Sequence, residues 1–131
     1  MKQPKPIERW YQCVAESDLS AIENMLAGDA VFQSPAVHAP QRGRAIVAKY
    51  LRAAMILFKN PTFRYVDEWF GDRSAVLEFE LTVDDIYING VDIIRWNEND
   101  EIEQFKVMVR PLKGLNAVIP LMGQQLQAMQ S

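Results

Sequence analysis

The chain has 131 residues, 49% of them hydrophobic and 24% charged, which fits one compact domain over residues 1–131. Its net charge of -3 and scattered basic residues argue against a nucleic-acid groove or an anionic membrane surface. The only cysteine, Cys13, excludes an intramolecular disulfide and a thiol-ligated metal cluster. No apolar run of about 18 residues and no secretion signal is present, so we expect a cytoplasmic protein with small apolar partners.

The apolar residues of four segments recur at helical spacing. Pro6 suits the first turn of a helix that ends near Ser17. Ser20 begins a capping-box pattern that predicts a short second helix ending at Gly28. Longer patterns predict a helix over residues 46–58 and, despite Pro120, a last helix over residues 112–129. This last helix could close a pocket or dock on a partner.

After a brief strand over residues 30–33, the period changes from that of a helix to that of a strand at Thr62. The runs that follow predict an antiparallel meander with one apolar face and one polar face. Asn89–Gly90 could turn a tight hairpin or lie inside a longer loop, and the sequence does not decide between them. The four predicted strands are residues 63–70, 75–83, 86–96 and 102–109.

Asp92 lies in the middle of an apolar strand and is the most informative residue of the chain. Period-two alternation puts its carboxyl on the same face as Ile94 and Trp96. A carboxyl taken out of water has a raised pKa or needs a partner, and such groups are common in functional sites. The position therefore predicts a ligand pocket built around Asp92, without identifying the ligand.

Four short motifs accompany this order of elements: Ser-Asp-Leu at 17–19, Gly-Asp-Ala-Val-Phe at 28–32, Ser-Pro at 34–35 ahead of Arg-Gly at 42–43, and Gly-Val-Asp-Ile-Ile-Arg-Trp-Asn at 90–97. Together they resemble the nuclear transport factor 2-like superfamily, and its SnoaL-like polyketide cyclase and ketosteroid isomerase branch is the most similar. The resemblance covers almost the whole chain. It implies an α+β fold, cystatin-like, in which a cone-shaped curved antiparallel sheet carries helices on its concave face. It also implies a conical pocket, often a homodimer, and no cofactor.

Ketosteroid isomerase uses an aspartate base, a tyrosine donor and a protonated aspartic acid. The resemblance places Asp92 at the protonated acid, but it places Ser34 at the base and Trp10 at the tyrosine. A serine does not abstract a carbon-bound proton without an activator, and an indole only donates. We therefore do not expect conventional steroid isomerisation. The arginine and paired aspartates of the related limonene epoxide hydrolase are not recognisable either.

His38 is the candidate that could supply a base instead, because its ordinary pKa lies near the physiological range. Paired with Asp92 around an apolar pocket, it would suit isomerisation, cyclisation or dehydration of a small carbonyl compound. The alternative for His38 is a surface residue without a chemical role. The alternative for Asp92 is a structural acid bonded to Trp10, Tyr11 or a backbone amide.

The same pocket is expected to be lined by aromatic and hydroxyl side chains from the helices and strands. For Tyr11 and Tyr50 the alternative is simple packing in the core. Two other functions are also open: a module that binds an apolar metabolite without transforming it, and a dimeric interaction module. The full set of predicted ligand-binding residues is Trp10, Tyr11, Ser34, Tyr50, Phe79 and Phe105.

Overall fold

The computed structural model describes residues 3–129, so the first two and last two residues of the predicted 1–131 domain lie outside it. One helix precedes the strands, a second separates the first two strands from the other four, and a third follows the last strand. The elements are α1 Lys5–Glu16, β1 Leu26–Gln33, β2 Gln41–Arg42, α2 Arg44–Leu57, β3 Arg64–Gly71, β4 Ser74–Val83, β5 Ile86–Trp96, β6 Ile102–Arg110 and α3 Leu112–Ala128.

The six strands form one open, curved sheet in the order β2-β1-β6-β5-β4-β3. Strands β3 to β6 make the predicted antiparallel meander, and the α+β class is confirmed. The sheet is not purely antiparallel, however, because β1 runs parallel to β6. A parallel neighbour needs a crossover connection, and the chain from β2 to β5 provides it.

The helices and the inner sheet face share one apolar core. Residues alternate in β4, where Ala75, Leu77, Phe79 and Leu81 are buried and their neighbours are not. Helix α3 packs on α2, β5 and β6 of its own chain. Within residues 3–129 no helix combines the length and apolar character needed to cross a bilayer.

The predicted second helix is wrong. Residues 19–21 and 23–25 form two short 3-10 turns, and β1 begins at Leu26. The Ser20 hydroxyl donates to Asp18 Oδ1 at 2.6 Å instead of capping a helix. Gly28 lies inside β1, because burial of Leu26 and Ala30 in the sheet outweighs a helical segment only two turns long.

Asn89–Gly90 forms neither a hairpin nor a loop but lies inside β5. The turn between β4 and β5 is made by Asp84 and Asp85, whose φ angles of 49° and 65° suit a tight hairpin. Gly90 is needed for a different reason: a Cβ added there would lie 2.5 Å from Phe79 Cζ. The missing side chain thus leaves room for the Phe79 ring beside Gly90.

Candidate functional site

A cavity of about 260 Å³, here called the main cavity, lies between α1, α2 and the inner face of the sheet. Asp92 is the only carboxyl among its lining residues. Three polar side chains, Ser17, Lys59 and Asn60, line it where α1 and α2 end. The rest of the lining is apolar or aromatic and includes Trp10, Leu51, Phe58, Phe63, Phe79 and Phe105.

The two carboxyl oxygens of Asp92 have different surroundings. Tyr65 donates its hydroxyl proton to Oδ2 at 2.6 Å, and Trp10 Nε1 donates to the Tyr65 oxygen at 2.9 Å. No hydrogen bond within residues 3–129 involves Oδ1. Since every fully buried side-chain oxygen of that range has a partner, Oδ1 is not fully buried. Because Asp92 lines the main cavity and is only 6% exposed, Oδ1 is the oxygen available to a molecule inside it.

Burial raises the pKa of Asp92 to about 7, against the opposing effect of the Tyr65 hydrogen bond. Both the acid and the carboxylate are therefore populated near neutral pH. Burial, and after it the charge of Asp92, raises the pKa of Tyr65 well above its ordinary value. Tyr65 consequently keeps its proton and remains a donor throughout the pH range in which Asp92 titrates.

Trp10, Phe79 and Phe105 all line the main cavity together with Asp92. Tyr11 does not: its hydroxyl donates to Glu68, and its ring packs on the Tyr65 ring at a centroid distance of 5.2 Å. Of the structural partners considered for Asp92, neither Trp10 nor Tyr11 bonds it directly. Trp10 acts one step removed, through the Tyr65 hydroxyl.

The structure does not bring His38 to Asp92. His38 is exposed in a surface depression beside Lys106 and Met108, and it is not among the residues that line the main cavity. The preceding loop turns at Ser34, whose Oγ accepts hydrogen bonds from the amides of Ala36 and Val37. This local turn sets the course of the loop, so the expected pair of His38 and Asp92 is not formed.

Ser34 and Tyr50 line a second cavity of about 240 Å³ between α2, α3 and the loop after β1. We call this the side cavity. Neither residue lines the main cavity. The two predicted ligand-binding residues are thus close to the site but separate from Asp92.

Tyr65 is the site residue that the sequence analysis missed. It lies on β3, two strands away from Asp92, and its Cα partner on the intervening β4 is Phe79. Phe79 in turn is paired with Gly90, which has no side chain, so the Tyr65 hydroxyl can reach across β4 to Asp92. The available signal was the alternation that puts Tyr65 on the same face as Phe63.

The curved open sheet with its covering helices defines a nuclear transport factor 2-like protein. Residues 7–105 match the model of the SnoaL-like domain family, and the chain belongs to this family. No curated protein matches the chain.

Two solved structures combine high structural similarity with more than 30% identity. A steroid delta-isomerase from Pseudomonas aeruginosa is 35% identical with a TM-score of 0.89, covering 95% of this chain and 91% of that one. An uncharacterised cystatin-like protein from Silicibacter pomeroyi DSS-3 is 32% identical with a TM-score of 0.84, covering 92% and 84%. The epoxide hydrolase/cyclase-like enzyme SalBIII, at 19% identity and a TM-score of 0.64 over 81% and 88%, shares the fold.

Proposed function

We propose that the protein is a cofactor-independent isomerase that moves a proton within a small, mainly apolar carbonyl compound. The observation that supports this most directly is Asp92, a buried carboxyl with one oxygen held by Tyr65 and the other available to an apolar cavity. Its pKa of about 7 is matched to proton transfer near neutral pH. Apolar walls would bind the hydrocarbon part of the compound and exclude water.

In the proposed reaction, the Asp92 carboxyl both removes the proton and returns it. Oδ1 of the Asp92 carboxylate takes a proton from the carbon between the carbonyl and a neighbouring C=C bond, and the electrons of the broken C–H bond pass into a dienolate. The resulting carboxylic acid then returns the proton to a different carbon of the conjugated enolate. The product is an isomer of the substrate, so no oxidant, reductant or cofactor is consumed.

Tyr65 would hold Asp92 through both halves of this cycle. When Asp92 is ionised, the Tyr65 hydroxyl donates to Oδ2, and Trp10 fixes the tyrosine oxygen from the other side. When Oδ1 has taken the proton, Oδ2 is still an acceptor, so the Tyr65 hydroxyl keeps the same contact. Tyr65, which also lines the main cavity, thereby keeps the Asp92 carboxyl oriented for both proton transfers.

The similarity to a steroid delta-isomerase supports the reaction class but not its familiar residue set. Ser34 lies where the resemblance to ketosteroid isomerase places the base. It lines the side cavity, and its Oγ accepts hydrogen bonds from two backbone amides. The proposal therefore assigns removal and return of the proton to Asp92 alone. His38 has no part in it.

The test is the conversion of β,γ-unsaturated ketones to their conjugated isomers, followed by ultraviolet absorbance, with deuterium uptake from D₂O followed by NMR. Asp92→Asn keeps the size of the side chain and the acceptor for Tyr65, so it should fold but lose at least about a hundredfold in rate. Tyr87→Phe, which changes an exposed hydroxyl that lines neither cavity, should keep the wild-type rate. An Asp92→Asn variant as active as the wild type would exclude the proposed mechanism.

A non-catalytic binding module is the second candidate. It is favoured by the composition of the main cavity, where Asp92 is the only carboxyl and the remaining polar side chains lie mostly near the helix ends. A binder would retain apolar ketones without exchanging their α-hydrogens for deuterium. Binding that survives Asp92→Asn, together with no exchange in the wild type, would support this function over the isomerase.

We also propose that the protein forms a homodimer through the outer face of the sheet. This face carries Trp69 and Met108, which are 52% and 51% exposed, and β-sheet register places Ile93 and Val91 between them. Lys106 lies on the same face. In a two-fold symmetric dimer this patch would face its own copy. The apolar side chains of the two subunits would then contact each other at the centre, with charged side chains around them.

A further inference from the structure

The side cavity is a nearly pure hydrocarbon environment. Tyr50 and Ser34 are the only residues with polar side chains among those that line it, and the Ser34 oxygen is already engaged by two backbone amides. A cavity of this kind attracts apolar groups but has little with which to orient them. The other lining residues include Phe32, Leu57, Val118, Ile119, Met122 and Leu126.

The side cavity adjoins the main cavity. Ala54, Phe58 and Val107 line both of them, so these side chains belong to the wall between the two spaces. Ala54 contributes a single methyl group to this wall, and Phe58 directly follows the last residue of α2. The main cavity alone, at about 260 Å³, lies slightly below the range of about 300 to 1,000 Å³ usual for ligand sites.

We propose that the substrate carries a hydrocarbon chain that runs from a carbonyl group at Asp92, past Ala54 and Phe58, into the side cavity. This inference rests on the proposed function, because it takes Asp92 as the anchor of the carbonyl end. The division of labour follows from the two linings. The main cavity holds the one buried carboxyl and fixes the reacting end, whereas the side cavity has little to recognise except hydrocarbon length.

Gly123 offers a direct way to fill the side cavity. It lines this cavity from α3, and no atom lies within 4 Å of a Cβ built on it. The Cβ of a Gly123→Phe variant therefore meets open space, and its ring should reduce the volume of the cavity that Gly123 lines. Gly123→Ala is the matched control, since it introduces the Cβ but leaves most of the volume empty. Ala54→Leu narrows the junction from α2 and serves as an independent second variant.

The experiment measures binding of propyl, hexyl and decyl methyl ketones by calorimetry. For the wild type and Gly123→Ala, we expect affinity to rise by up to about fourfold for each added methylene that is buried. Gly123→Phe should bind the propyl ketone as the wild type does, and both Gly123→Phe and Ala54→Leu should lose the gain for the longer ketones. Equal affinities across the wild-type series, or a gain that survives both substitutions, would overturn the inference.

Turnover distinguishes this inference from the proposed function. Asp92→Asn should abolish isomerisation of unsaturated ketones but keep the dependence of binding on chain length, because the side cavity is unchanged. Chain-length dependence without any turnover by the wild type would contradict the isomerase while supporting hydrocarbon binding in the side cavity. Turnover of short ketones without chain-length dependence of binding would support the isomerase and contradict hydrocarbon binding in the side cavity.

Discussion

At the scale of single residues, the buried Asp92 carboxyl lowers the stability of the folded protein above neutral pH. Its pKa is raised from 3.8 to about 7 by burial, so the native state keeps a proton that the unfolded chain has already released. The stability that this proton contributes is fully present below the unfolded pKa and is lost as the pH rises through about 7. A buried acid that weakens the fold at working pH is easier to explain by chemistry than by structure.

Asp92→Asn should remove this pH dependence. Between about pH 4 and about pH 8, the free energy of unfolding of the variant should improve relative to the wild type by up to about 4 kcal/mol. Urea unfolding of both proteins across this range measures the difference, and taking the difference cancels the other titrating groups. Parallel stability curves would mean that Asp92 titrates in the folded protein as it does in the unfolded chain.

Tyr65→Phe tests the hydrogen bonds around Asp92. The Tyr65 hydroxyl stabilises the carboxylate, so its removal should raise the pKa of Asp92 further, as measured by carboxyl-carbon NMR titration. The buried Trp10 N–H also loses its acceptor, at a cost of about 1 to 3 kcal/mol in stability. Tyr50→Phe, the same change in the side cavity, should leave the Asp92 titration where it was.

The residues of the site differed in how far the sequence could predict them. Asp92 was accessible because strand periodicity alone puts its carboxyl among buried apolar neighbours. Tyr65 was not, since its role depends on a register between strands and on the absence of a side chain at Gly90. The position of His38 depends on the turn at Ser34, which is set by two hydrogen bonds that leave no periodic signal.

At the element scale, long periodic segments were predicted well and short ones were not. The patterns over residues 46–58 and 112–129 correspond to α2 and α3, and the four strand runs correspond to β3 to β6. The short segment from Ser20 to Gly28 had apolar residues at helical spacing, but Leu26 to Gly28 joined β1. In so short a segment, burial against the sheet outweighs local capping and spacing.

Two glycines in different elements should respond oppositely to alanine. In β5, Gly90→Ala places a Cβ 2.5 Å from both Phe79 Cζ and Met108 O, and the backbone oxygen cannot easily move. We expect a loss of about 1 to 3 kcal/mol or more in stability, and displacement of Phe79 into the main cavity. In α3, Gly123→Ala meets open space and should stabilise the protein by up to about 1 kcal/mol.

Thermal and urea unfolding of both variants measure this contrast, and ketone binding reports on the cavity. The control is internal, because the chemical change is the same at the two positions and only the surroundings differ. A Gly90→Ala variant as stable as the wild type would show that Phe79 can move away at little cost. The absence of a side chain at Gly90 would then not be what makes room for the Phe79 ring.

At the scale of the whole molecule, the two faces of the sheet have different roles. The inner face is covered by α2 and α3 and encloses both cavities, so the proposed catalysis and core packing would depend on the same side chains. No helix within residues 3–129 covers the outer face, yet this face carries apolar side chains such as Trp69, Ile93 and Met108. Exposed apolar clusters of this kind mark association surfaces in soluble proteins.

Met108→Lys should convert the proposed homodimer to a monomer, because it places an ammonium group at the centre of an apolar patch beside Lys106 and its symmetry copy. Sedimentation equilibrium at micromolar concentration measures the mass directly. Ile46→Lys is the matched control: Ile46 is 38% exposed on α2, away from the outer sheet face, and the variant should remain a dimer. A wild-type monomer would contradict the dimer outright, and a Met108→Lys dimer would place the interface elsewhere. Because α3 closes the side cavity within its own chain, the monomeric variant should keep wild-type ketone binding.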